Sequence, residues 1–181
     1  DTKAVIYTAG RDAGSLAGFT HPAHAQFSTG GGDVHLGALG AIVGAPSAQL
    51  YSNWLFRQGK LGSDGASYDV QPAWWVRFDQ FQQGVGALGG GDVTIMAGGK
   101  VENVSASTPT QARLASLTPV ASALARSGGG NVAVASGGDL LGGQYYADNG
   151  VLVVRSGGKL DSGQKVGTGT SAKPLYTLLA L

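Results

Sequence analysis

The chain has 181 residues, the length of one domain, with 32 glycines, 13% charged and 43% hydrophobic residues, and a formal net charge of +1. Glycine at more than twice its usual share of about 7%, with apolar content retained, excludes a disordered polar chain. Six prolines and no strict glycine period of three exclude collagen, no basic stripe suits nucleic acid, and zero cysteines exclude a disulfide framework or a thiolate zinc site. No apolar run approaches the roughly 18 residues of a membrane helix. The sequence opens at Asp1 without an initiator Met or a signal-peptide pattern, which suits a piece of a longer polypeptide.

Predicted elements share one repeating frame: a turn, a short alternating strand, a Gly-Gly turn, then a second short strand. A degenerate copy spans Val5 to Asp12, and Gly30-Gly31-Gly32-Asp33-Val34-His35-Leu36 opens the next, continued by Leu39 to Ile42. Gly89 to Val101, Gly128 to Leu140 and Asn149 to Leu160 complete the set. Landmark turns are separated by 20 residues (Gly137 to Gly157), 39 (Gly98 to Gly137) and 59 (Leu39 to Gly98), close to multiples of 20. A period near 20 with apolar residues spaced by two predicts a parallel β-solenoid, in which Val93 and Ile95, Val132 and Val134, and Leu152 and Val154 stack into inner columns. Gly-Gly is expected to supply positive φ at the turns, and Asp92 and Asn131 to hydrogen-bond their own turn.

Two stretches break the rhythm. Residues 46 to 88 hold all three tryptophans with Tyr51, Phe56, Tyr68, Phe78 and Phe81, too bulky for a coil of Val, Ile and Ala. They are expected to leave the coil as an aromatic-rich excursion, with Trp54 packed on Trp74 or Trp75. Residues 105 to 127, with Pro109 and Pro119, read as a loop insertion holding at most one helical turn. Tyr145-Tyr146 is expected to pack in a short loop between rungs.

Ser52-Asn53-Trp54, Trp74-Trp75-Val76-Arg77-Phe78 and Gly84 to Thr94 together resemble the filamentous haemagglutinin-like exoproteins of proteobacteria, and Asn103 to Ala106 and Gly128 to Val132 are similar to the next segments of those proteins. The resemblance implies an all-β, right-handed parallel β-helix: a stem segment of a large adhesin at the surface of a Gram-negative bacterium. It also implies export by an outer-membrane transporter of the two-partner route. Expected partners are a host-cell or glycan receptor, or copies of the chain end to end. A solenoid carbohydrate-active enzyme and the stalk of a contact-dependent toxin are the alternatives.

The chemistry-bearing patterns point away from catalysis. Gly84 to Gly89 satisfies GxGxxG, but a Val/Thr/Ile strand comes after it where a dinucleotide site needs a helix N-terminus. Pro22 between His21 and His24 prevents a helical ligand pair, and His35 lies on a repeat strand, so no metal is assigned. Asn103-Val104-Ser105 matches a glycosylation acceptor, read as empty in a bacterial chain. A solenoid hydrolase or lyase needs converging carboxylates, for which Asp64, Asp69 and Asp79 are the candidates. No catalytic residue or cofactor is expected. Tyr51, Trp54, Trp74 and Trp75 are the candidate ligand or partner contacts, since aromatic faces suit sugars and anchor interfaces. Of the adjacent Trp74 and Trp75, one ring should point inward and one outward.

Overall fold

A computed structural model describes residues 5–12, 25–115 and 124–162, together with the backbone strands Lys165–Val166, Lys173–Pro174 and Tyr176–Ala180. The fold is all-β. In chain order the strands are β1 (Val5–Thr8), β2 (Arg11–Asp12), β3 (Ser28–Thr29), β4 (Val34–Ala38), β5 (Ile42–Val43), β6 (Leu55–Leu61) and β7 (Tyr68–Val76). Then come β8 (Gly84–Ala87), β9 (Val93–Ala97), β10 (Val101–Glu102), β11 (Ala106–Thr108), β12 (Thr110–Leu114), β13 (Leu124–Gly128) and β14 (Val132–Ser136). The last are β15 (Leu140–Leu141), β16 (Gly143–Ala147), β17 (Leu152–Ser156), β18 (Leu160–Asp161), β19 (Lys165–Val166), β20 (Lys173–Pro174) and β21 (Tyr176–Ala180). No helix among the described residues is long and apolar enough to cross a membrane.

Three sheets are parallel throughout: β1-β8-β11-β16-β21, β4-β9-β14-β17 and β5-β10-β15-β18. The chain visits them in a constant order, as β1-β4-β5, β8-β9-β10, β11-β14-β15 and β16-β17-β18, before reaching β21. Equivalent positions pair in succession without slippage, Val34 with Val93, Val93 with Val132 and Val132 with Leu152, and likewise Leu36 with Ile95, Ile95 with Val134 and Val134 with Val154. Alternation explains the pattern. Val93, Ile95, Val132, Val134 and Ser136 are buried while Thr94, Ala133 and Ala135 between them are half-exposed. The inner residues of the three sheets, including Val85, Val101 and Leu140, form one apolar core.

The turns hold together in a way the residue pattern did not predict. Gly98, Gly137 and Gly157 are absent from the residues with positive φ; their glycine requirement is close approach. A Cβ on Gly137 would lie 2.2 Å from the Gly98 carbonyl oxygen, and one on Gly157 would lie 2.3 Å from that of Gly137. Gly137→Ala is therefore expected to cost about 1–3 kcal/mol in urea denaturation, the range of an overpacked site. Gly37→Ala, where an added Cβ meets nothing within 4 Å, should stay within about ±0.5 kcal/mol. Equal losses for the two would refute the close-approach account.

Likewise the Asx side chains bond the next pass instead of their own turn. Asp33 Oδ1 accepts from the Asp92 amide (2.8 Å), Asp92 Oδ1 from the Asn131 amide (2.8 Å), and Asn131 Oδ1 from the Val151 amide (2.9 Å). Parallel stacking brings equivalent turns within about 4.8 Å, which a two-carbon side chain spans.

The stretch expected as a loop at 105 to 127 instead carries β11, β12 and β13. β12 and β13 form an antiparallel hairpin, as do β6 and β7, and Ala112 opposite Trp74 joins the hairpins into one four-stranded sheet, β13-β12-β7-β6. Tyr145-Tyr146 lies within β16, not in a loop. Tyr145 is 1% exposed inside the main core, so an aromatic ring does fit there. Its paired neighbour is the small Ala106, and the ring lies where a Cβ on Gly143 would stand, 2.9 Å from the phenol oxygen.

Tyr146, on the opposite face of β16, belongs to an aromatic strip that covers the outside of the first sheet. Trp54 meets Phe81 edge-on at 5.1 Å and Tyr146 at 6.5 Å, Phe81 meets Tyr7 at 6.0 Å, and Tyr51 stacks on Tyr146 at 5.8 Å. Trp75 stacks instead on Phe56 at 6.0 Å, in a separate cluster with Phe27 and Ala73. Trp54 thus packs on neither Trp74 nor Trp75.

Candidate functional site

The antiparallel sheet has two unlike faces. Cross-strand partners share a face, so Phe56 and Trp75 lie on one side, where the segment from Ala25 to Thr29 covers them through the Gln26–Val76 bridge and the Phe27 cluster. The Ser28 amide donates to Oε1 of Gln111 (3.0 Å), whose Nε2 donates to the Leu88 carbonyl (2.7 Å). Arg113 lies 5.6 Å from the Phe27 ring centre on this covered side.

On the other face Arg57 pairs with Trp74, Trp74 with Ala112, and Ala112 with Arg126. This row of four crosses the sheet, with Ala112 buried within it. Its Arg57, Trp74 and Arg126 line an open groove of about 500 Å³, bounded further by Gln58, Gly59, Pro72, Thr110 and Asp148. Both arginines are exposed, and Trp74 is half-buried. The ion pairs among the described residues are Lys60–Asp69, Arg77–Asp79 and Lys100–Glu102, so neither groove guanidinium is held by a carboxylate.

A hydrogen-bond chain orients the indole. Trp74 Nε1 donates to Thr110 Oγ1 (3.0 Å), and the Thr110 hydroxyl donates to Asp148 Oδ2. Asp148 Oδ2 also accepts from the Thr110 amide (3.2 Å) and the Tyr146 hydroxyl (3.4 Å). Burial, reinforced by the charge of Asp148, raises the Tyr146 phenol above its ordinary range, and Arg57 opposes that shift. Tyr146 stays a neutral donor. The arrangement offers two cationic forks, an amphipathic ring and a fixed acceptor, the elements of a binding surface.

Of the four candidate contacts, Trp74 reaches the groove. Tyr51 is 38% exposed at the end of the aromatic strip, while Trp54 (2%) and Trp75 (6%) are core residues with no face for a ligand. A second cavity, of about 20 Å³ beneath Tyr51 and Gln144, has room for roughly one water. Sequence reasoning missed Arg57, Arg126 and Asp148. They lie on three separate segments, and no local spacing relates them.

The three candidate acids are each engaged by a different partner, although Asp64 and Asp69 both lie beside Gly62. Asp64 caps the turn joining β6 to β7: hydrogen bonds from the Ser67 amide (2.9 Å), the Ala66 amide (3.0 Å) and the Ser67 hydroxyl lower its carboxyl to about 2. Asp69 meets Lys60 (2.7 Å), and Asp79 receives a two-point hydrogen bond from Arg77 (2.9 and 2.6 Å) that also raises the guanidinium's pKa. His35 is exposed on β4; His21 and His24 lie outside the described residues. Gly84 to Ala87 is itself the buried strand β8, and the glycine turn after it leads into β9. No protein-family model, curated protein or solved structure matches the chain.

Proposed function

We propose that the chain is a segment of a right-handed parallel β-helix, the stem of a large secreted adhesin of the filamentous haemagglutinin-like kind. In this reading the side sheet forms a binding surface that the stem projects from the bacterial cell. The observation that carries it is the constant order in which the chain visits three parallel sheets in register, with two insertions from different passes meeting in one sheet. A stack of coupled rungs makes a stiff rod, and strand-to-strand crossovers in parallel sheets are right-handed in about 98% of cases. Export through a dedicated outer-membrane transporter and a place at the surface of a Gram-negative cell are implied by the same resemblance. The chemistry is recognition and reach, without a catalytic step, in keeping with three acids committed to separate partners.

Bead adhesion tests this. Microspheres coated with the chain should adhere to epithelial cells, and beads carrying the Arg57→Ala/Arg126→Ala double variant should adhere several-fold less. Equal adhesion of the two coats, or none above an albumin coat, would reject a binding role for this face.

A further inference from the structure

We propose that the groove beside Trp74 binds a linear glycan carrying sparse carboxylates, as in a uronic-acid polysaccharide with one acid per disaccharide. A sugar ring would stack on the indole, and separate carboxylates would seat on Arg57 and Arg126. This assignment rests on the adhesive reading of the same groove and specifies its ligand.

Spacing is the first argument. Arg57 and Arg126 stand at the two ends of the Arg57–Trp74–Ala112–Arg126 row, three strand intervals apart. At about 4.8 Å per interval their backbones are roughly 14 Å from each other, too far to share one small anion. A ligand that uses both must carry two anionic groups with a span between them. Trp74 lies in that span, so the span must offer a surface that suits an aromatic ring. Alternating acidic and neutral sugars have both properties.

Charge density is the second argument. The whole chain carries +1, and the groove's two arginines are offset by Asp148, so long-range attraction for a dense polyanion is weak. What remains is short-range: a planar fork that matches a carboxylate in a two-point hydrogen bond. Asp148 would repel closely packed sulfates but can accept from a sugar hydroxyl. Preorganisation is the third argument. The Trp74–Thr110–Asp148 chain fixes the indole before any ligand arrives, which lowers the ordering cost of binding.

The test is calorimetric titration of the folded chain with four probes: hyaluronate oligosaccharides, heparin oligosaccharides of equal length, neutral dextran and a poly-aspartate peptide. Hyaluronate should bind best, and Arg57→Ala and Arg126→Ala should each weaken it about tenfold, the loss of one charge-assisted contact. Arg57→Lys and Arg126→Lys keep the charge at exposed positions that leave folding intact, and they should still weaken binding several-fold. Affinity that simply tracks charge density, with heparin far ahead and the lysine variants unaffected, would overturn the assignment. So would equal binding of poly-aspartate, absence of hyaluronate binding, or depolymerisation of the hyaluronate. If coated beads adhere to cells but no carboxylated glycan binds, the ligand class falls and the adhesive reading stands. If hyaluronate binds but beads do not adhere, the ligand assignment stands and the adhesive reading falls.

Discussion

Val134→Asp is expected to unfold the parallel stack at neutral pH, whereas Ala133→Asp should cost less than about 1 kcal/mol. The two residues are neighbours on β14 but face opposite ways. Val134 is 1% exposed, paired with Ile95 on one side and Val154 on the other, and packed in the main core. Ala133 pairs with Thr94 and Val153 on the outer, half-exposed face. A carboxylate at position 134 would have no partner in that apolar column, and burying it unpaired costs several kcal/mol beyond the lost valine. That is a large share of the roughly 5–15 kcal/mol typical of a whole domain. Burial would raise the new carboxyl's folded pKa above its unfolded value, so the variant should recover stability as the pH falls below that raised pKa toward the unfolded value. Urea midpoints for both variants at two pH values measure this. Equal shifts would mean that the register is wrong by one residue.

Trp54→Ala is the second large effect, expected to cost about 3–5 kcal/mol, as for other buried Trp truncations. Trp54 is 2% exposed and forms the centre of a cluster with Leu55, Val76, Phe81, Leu88 and Tyr146. Those residues come from the first hairpin, the segment after it and β16, so the indole ties the side sheet to the outside of the first parallel sheet. Its carbonyl also accepts from the Arg77 amide (2.8 Å), but that bond survives truncation. None of its cluster partners belongs to the core between the three parallel sheets. The damage should therefore stay local: limited proteolysis read by mass spectrometry should cut first within 55–76, with 128–161 protected. Cleavage of both regions at one rate would show instead that the side sheet and the parallel stack unfold as a single unit.

Much of the parallel stack was legible in the residues themselves. Each strand repeats one inward–outward alternation, so Val93, Val132 and Leu152 could be aligned from spacing alone, and the three-dimensional pairing joins the same residues. The aromatic content of 46 to 88 likewise marked that stretch as different, because a Trp has no counterpart in a column of Val and Ile. Its end, Gly84 to Ala87, nevertheless rejoins the parallel stack as β8, with Val85 and Ala87 in the main core. The turn residues were found by type but with the wrong reason. Close approach of one carbonyl to the next glycine, and an Asp reaching the next amide, exist only once the passes are stacked.

Contacts between the insertions were not legible at all. Trp74 and Thr110 are 36 residues apart, on two insertions whose sequences carry no mark of each other. Whether they meet depends on where successive passes of the stack release them. The same holds for Trp54, which chose Phe81 and Tyr146 over the other tryptophans. Local chemistry therefore determined the strands, their alternation and the glycine-rich turns, since those preferences act over a few residues. The tertiary structure alone decided that Arg57, Trp74 and Arg126 share one face, because a row across four antiparallel strands is set by long-range pairing.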